Sequence, residues 1–239
     1  MHAPELRGAA LALVEQGVND CEIARRLGVP RTTVRDWRRP TYFASFDICP
    51  RCWRRLRPLA FSGADYSELL GLYLGDGHIS ALARTQRMRI FLDSKYATVV
   101  DEAEALLRRC FPHNPVGRAV VEDGAEEILF VHSGHLTCFF PQHGSGKKHD
   151  RPIVLEPWQR RIIDAAPWEF LRGCIRSDGR TGRYEYLSYG FANRSSDILD
   201  LFESTCRAEG LRPRRYTQAI RLNRREDVAR LLEHVGVKS

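Results

Sequence analysis

Two aspartates, Asp76 and Asp178, end matched stretches of sequence. Leu69-Leu70-Gly71-Leu72-Tyr73-Leu74-Gly75-Asp76-Gly77 is a short apolar run, and about one hundred residues later Leu171-Arg172-Gly173-Cys174-Ile175-Arg176-Ser177-Asp178-Gly179 repeats its spacing. Residues four apart share one helix face, and the small pairs Gly71/Gly75 and Gly173/Ser177 let two helix backbones approach closely. Two such helices crossing there bring Asp76 and Asp178 together at one end. One acid at a helix end could be a turn former; two in matched contexts are a candidate reactive centre. Lysine is the second clue. Among 37 basic residues only Lys95, Lys147, Lys148 and Lys238 are lysines, and Lys147 and Lys148 stand side by side.

The elements that position these residues read as α+β. Asp65 is placed to cap the first acid-bearing helix, with Glu68 three residues on. In Arg87 to Leu92, Met88, Ile90 and Leu92 alternate with Arg87, Arg89 and Phe91, which predicts a hairpin with one apolar and one largely basic face. Val99, Val100, Ala103, Leu106 and Leu107 predict a helix over 97–110. Strands at Val116 to Val121 and Ile128 to Val131 follow, then a short helix from Leu136 to Phe140. The second copy keeps the order: a helix with Pro167 in its first turn, a strand-rich stretch Arg183 to Asn193, a helix ending at Gly210, a basic strand Arg212 to Leu222, and a helix from Arg224 to about His234. In Arg183 to Asn193 the inward phase is open, with Tyr184 and Tyr186 on one face and Leu187, Tyr189 and Phe191 on the other.

The 239 residues carry a formal charge of +7, a sign that suits a polyanionic partner. Seven scattered cysteines and no apolar run after Met1-His2-Ala3-Pro4 predict reduced thiols in a cytoplasm. No segment approaches the length of a membrane span. Near the N-terminus Leu6, Ala9, Ala10, Leu13 and Val14 have helical spacing. Ile23-Ala24-x-x-Leu27-Gly28-Val29-Pro30-x-x-Thr33-Val34-x-x-Trp37 resembles the helix-turn-helix family in its three-helix form. The resemblance implies a DNA-binding domain over 1–40 whose third helix presents Arg31, Thr32, Arg35 and Arg38 to bases or phosphates. Residues 41–64 read as a basic linker. Within it Cys49 and Cys52 have the spacing of half a zinc knuckle, but no second pair follows, and two ordinary thiols are the favoured reading over zinc.

From about Asp65 onward the two Asp-Gly helices resemble the signature helices of the LAGLIDADG homing-endonuclease family. Arg172, Cys174 and Arg176 depart from its second motif. The resemblance implies two pseudo-symmetric αββαββα halves, 65–160 and 161–239, forming a DNA-binding saddle. It implies that Asp76 and Asp178, helped by the carbonyls of Gly75 and Ser177, bind Mg²⁺ or Mn²⁺. A basic residue is implied beside each site: Lys147 or Lys148 in the first half, Arg224 in the second. Arg84, Arg87, Arg89, Arg183, Arg212, Arg214 and Arg215 are the implied contacts from the strand regions to double-stranded DNA. The expected protein is a monomeric, Mg²⁺-dependent, site-specific DNA endonuclease at a bacterial nucleoid. The alternative is a transcriptional regulator on the same scaffold with little or no nuclease activity.

Overall fold

Helix ends in the N-terminal unit, residues 1–58, follow from local chemistry. The computed structural model describes residues 4–38, 47–48, 55–56, 62–121, 123–183 and 187–238. After α1 (Pro4–Glu15), helix α2 (Asp20–Leu27) starts at Asn19, whose side-chain oxygen accepts from the Glu22 amide at 3.0 Å. It stops at Gly28, left-handed at φ 63°, a conformation that disfavours any Cβ. The chain turns there into α3 (Arg31–Arg38). Ala10, Ile23, Val29 and Val34 form a small core with Leu13, Val14 and Trp37 against it. Ala9, expected inside, is exposed. Asp47–Ile48 (β1) pairs antiparallel with Arg55–Leu56 (β2), so the stretch expected as a plain linker carries a short ladder. Cys49 and Cys52 lie outside the described residues.

The second unit covers residues 59–239. Its central helix α4 (Gly63–Asp76) is capped by Ser62, whose hydroxyl accepts from the Asp65 amide at 3.1 Å, and not by Asp65 as expected. Leu69, Leu70, Leu72 and Leu74 are all fully buried, so α4 is apolar all round and packed on every side. Each such side chain contributes roughly 1.5–3 kcal/mol relative to exposure. There follow β3 (Gly77–Ala81), β4 (Gln86–Asp93), α5 (Ala97–Cys110), β5 (Val116–Val120), β6 (Glu126–Ser133) and α6 (Leu136–Phe139). Next comes α7 (Pro157–Ala165), which was not expected and which spans the expected boundary between the halves at 160 and 161. Its start is a reciprocal cap between Glu156 and Gln159.

The second half repeats the plan with α8 (Pro167–Arg176), β7 (Gly179–Arg183), β8 (Leu187–Ala192), α9 (Ser196–Ala208), β9 (Arg214–Tyr216), β10 (Ala219–Leu222) and α10 (Arg225–His234). The single strand expected from Arg212 to Leu222 is a hairpin, because Thr217 and Gln218 turn it back on itself. The two antiparallel sheets have the same order, β3-β4-β6-β5 and β7-β8-β10-β9. Burial resolves the open phase: Tyr189 and Phe191 point into the core, as do Ile220 and Leu222 across the ladder. No described helix is long and apolar enough to cross a membrane.

Candidate active site

Glycine makes the centre of the second unit possible. A methyl on Gly71 would lie 2.5 Å from the Phe170 carbonyl oxygen and 2.8 Å from the Cys174 nitrogen, and one on Gly173 would strike the Glu68 carbonyl. Gly75 abuts Ser177, whose hydroxyl turns back to donate to Gly173 O and Cys174 O, each at 3.0 Å. The four small residues thus all lie in the α4–α8 crossing. Arg172 and Arg176, the departures from the signature pattern, serve the same crossing. Glu68 is buried and is approached by Arg176 at 2.5 Å and Arg172 at 3.4 Å, while Arg176 also reaches Glu102 at 2.5 Å. Glu68 and Glu102 take up their charge, and Arg176 lines a cleft together with Asp178.

Past the crossing the helices end at Asp76 and Asp178. Burial first, then the neighbouring Asp178 charge, pushes Asp76 up to about 7. Burial also raises Asp178, although Asn193 holds it by donating Nδ2 to Oδ2 at 2.6 Å. Two ammonium groups flank the pair. Lys148 Nζ donates to the carbonyls of Tyr73, Leu74 and Gly75 at 2.5, 2.8 and 2.7 Å, at the negative end of the α4 dipole. Lys238 Nζ donates to Ser177 O, and to Gly179 O at 3.0 Å, beside the end of α8. Burial lowers both lysines, Lys148 to about 8, against the pull of both aspartates.

Of the two adjacent lysines, Lys148 bonds the last carbonyls of α4 and acts on both carboxylates through space, while Lys147 is exposed on the wall of the same cleft. Arg224 does not reach the site. It precedes α10 at the outer edge of the second sheet, and Lys238 holds the place expected for it. Lys238 and Asn193 are the site residues that sequence reasoning missed. Lysine scarcity marked the first; only its position after a strand bearing Tyr189 and Phe191 could have marked the second.

Two clefts of about 410 Å³ each open beside the aspartate pair, the first on Asp178 and the second on both aspartates. The first joins Lys148 to Asn193, Arg194 and Gln218; the second joins Lys238 to Asp93, Tyr96 and Glu126. Each cleft thus combines the lysine of one half with the strand end of the other. Among the described residues no group of three or more His, Cys, Asp or Glu could hold a metal ion by side chains alone. Two carboxylates with main-chain oxygens at Gly75 and Ser177 remain an all-oxygen set suited to a hard cation.

The arginines separate by environment. Arg31, Thr32 and Arg35 are exposed on α3, and Arg38 Nη1 lies 3.3 Å from Asp20. Arg84 is exposed between β3 and β4, and Arg87 and Arg89 alternate with the buried Met88 and Ile90, on the sheet face turned from the helices. Arg214 shares that kind of face in the second sheet. Arg212 and Arg215 do not: Arg212 pairs with Glu226 at 2.5 Å, and Arg215 with Asp200 at 3.0 Å and Glu203 at 3.2 Å. Register explains Arg215, which sits opposite the core residue Ile220 and so points toward α9. The Arg183 side chain lies outside the described ones.

A family model described as a homeodomain-like domain matches residues 2–39. No curated protein matches the sequence. Among solved structures, full-length DUF199/WhiA from Thermatoga maritima is 20% identical with a TM-score of 0.52, over 76% of this chain and 58% of that one. I-DmoI in complex with DNA and Mn is 14% identical with a TM-score of 0.52, over 73% of this chain and 97% of that one. Its complex with DNA and Ca gives 14% and 0.52, over 72% and 89%. The second unit has a LAGLIDADG-like fold. At these identities the likeness is one of fold. In this LAGLIDADG-like unit the acidic pair lies where the two signature helices end.

Proposed function

We propose that this chain binds double-stranded DNA at a specific sequence and, as a monomer, hydrolyses phosphodiester bonds there with Mg²⁺ or Mn²⁺. The observation that carries the reading is the meeting of Asp76 and Asp178 with one ammonium group on each side. The I-DmoI complexes with DNA and Mn or Ca support DNA as the partner of such a fold. Asp76 and Asp178, with the main-chain oxygens of Gly75 and Ser177, would hold the ion; when bound, it would supply charge stabilisation at the phosphoryl group and a more acidic water. Lys148 and Lys238 place positive charge where negative charge grows on the phosphodiester. Lys148, lowered to about 8 by burial, is still protonated at neutral pH and can give its proton to a leaving oxygen. Asn193 fixes the Asp178 carboxylate by its 2.6 Å hydrogen bond. In the N-terminal unit Arg31, Thr32 and Arg35, on the exposed side of α3, are the proposed readers of a further stretch of DNA.

A second reading, a transcriptional regulator without cleavage, is favoured by one observation. Lys148 and Lys238 already bond the Gly75 and Ser177 carbonyls, so the ammonium groups stand in the way of an incoming ion. Selection of bound sites from a random duplex library without divalent ions, followed by addition of Mg²⁺, separates the two. The nuclease reading expects cuts from the wild type, none from Asp76→Asn/Asp178→Asn, and binding by the two within a few-fold. Tight, specific binding with no cut in Mg²⁺ or Mn²⁺ would leave the regulator.

A further inference from the structure

The two sheets expose different chemistry on the faces turned from the helices. On the first, Arg87 and Arg89 are accompanied by the aromatic rings of Phe91 and Phe130 and by His78 and His132. These groups are held in place. Arg89 donates to Ser80 Oγ at 3.1 Å and lies 5.5 Å from the Phe91 ring centre. A methyl on Gly117 would strike the Phe130 ring, so that ring lies flat across β5. The Nε atoms of Arg87 and Arg89 are nonetheless buried without a hydrogen-bond partner among the described residues. A buried donor with no partner is uncommon. Asp93 and Glu126 also lie on this face, and Asp93 is ion-paired with Lys95. Arg118 of the edge strand β5 is taken up by Asp101, Glu104 and Glu127.

The corresponding face of the second sheet has a floor of Gly182, Ser188, Gly190 and Ala192. Those side chains are too short to reach a base edge. A methyl on Gly190 would be 3.5 Å from Arg180 Cγ, so the Arg180 stem lies across that floor. Arg214 and Arg221 stack on Tyr216, at 5.5 and 5.1 Å from its ring centre. Among the described residues Arg214 and Arg221 make no ion pair, whereas Arg180 also lines the cleft that holds Asp76, Asp93, Glu126 and Asp178. At the outer edge a cleft of about 580 Å³ adds Arg224 to Arg214 and Arg221, and its remaining arginines, Arg207, Arg212 and Arg215, are paired with acids.

We propose that the two sheets divide one duplex between them: the first reads base edges, and the second, with the arginines at its outer edge, holds the phosphate backbone. The inference rests on the proposal that the chain binds DNA. A mixed set of donors, acceptors and rings can discriminate bases in a groove, whereas arginines that stand over a floor of small residues, without neighbouring acceptors, offer mainly positive charge to the phosphates.

The test uses the full chain and the duplex selected without divalent ions. For Arg214→Gln/Arg221→Gln/Arg224→Gln, binding is expected to weaken alike for all sequences. The slope of log K against log salt should fall by about 2–3, at roughly 0.9 for each phosphate no longer neutralised. Base preference should stay that of the wild type. For Arg87→Gln and Arg89→Gln, one at a time, discrimination is expected to drop roughly tenfold or more at one or two base pairs. Both sets change side chains outside the hydrophobic core, and circular dichroism melting checks that they fold. An unchanged slope in the triple variant, or altered base preference there with none in the Arg87 and Arg89 variants, would overturn the division alone. Failure to select any duplex would overturn the DNA-binding reading and this inference with it.

Discussion

Gly173→Ala is expected to destabilise the second unit by about 3 kcal/mol, the upper range for forcing extra volume into a packed core. The added methyl would strike the Glu68 carbonyl and lie 2.9 Å from the Leu72 nitrogen, so it meets backbone on α4 and not the yielding end of a side chain. Relief requires α4 and α8 to move apart. That movement strips Glu68, buried in the crossing, of its contacts with Arg172 and Arg176. It also separates Asp76 from Asp178. Displacement of reacting groups by about 1 Å can cost on the order of 100-fold in rate, so cleavage should fall further than folding. Gly63→Ala is the internal control. Its methyl would meet only Ile162 Cγ2, at 3.8 Å, and alanine in the first turn of α4 should be neutral or stabilising by up to ~1 kcal/mol. Urea titrations of the two variants measure the difference. Equal midpoints would mean that the crossing is not as tight as the two glycines make it.

How much of this centre could be read beforehand depended on whether the determinant was local. Gly71, Gly75, Gly173, Ser177 and the two aspartates carry their spacing on the chain itself, so the crossing and the acids at its end were legible. So was α5, whose buried Val99, Val100, Ala103, Leu106 and Leu107 follow one helical stripe. Lys238 was not, because its approach to Ser177 and Gly179 is a contact over 61 and 59 residues, with no periodic signal around it. The fate of the arginines was equally hidden. Arg214 and Arg215 are neighbours with the same charge, but a strand sends adjacent side chains to opposite faces, and the register that opposes Arg215 to Ile220 is set by a turn at Thr217 and Gln218. Arg176 stands two residues before Asp178 on the chain, and the partners that take up its charge, Glu68 and Glu102, are both far away in sequence.

Asp76→Asn should abolish cleavage and, without divalent ions, make the protein more stable near pH 8. Burial and the Asp178 charge raise Asp76 to about 7, with Glu126 acting in the same direction and Lys148 and Lys238 against it. The net shift is upward, so the opposing ammonium groups do not compensate the ionised carboxylate. An unfolded aspartate loses its proton near pH 4, whereas the folded one keeps it into the neutral range. Between those limits the native state binds more protons than the unfolded chain, and stability falls as pH rises. The lysines act in a separate window. Lys148 is lowered to about 8, so from there to its unfolded value near 10.5 the unfolded chain binds the extra proton and stability rises with pH. Asparagine removes the falling limb due to residue 76, and a gain of ~2 kcal/mol at pH 8 is expected, shrinking toward zero by pH 4. Mg²⁺ should invert the order. A cation held by both carboxylates stabilises only the wild type, by an amount that grows with the logarithm of its concentration. Thermal melts at pH 5 and pH 8, each with EDTA and with Mg²⁺, give the four comparisons. A variant less stable than wild type at pH 8 in EDTA would show that Lys148 and Lys238 already balance the acidic pair.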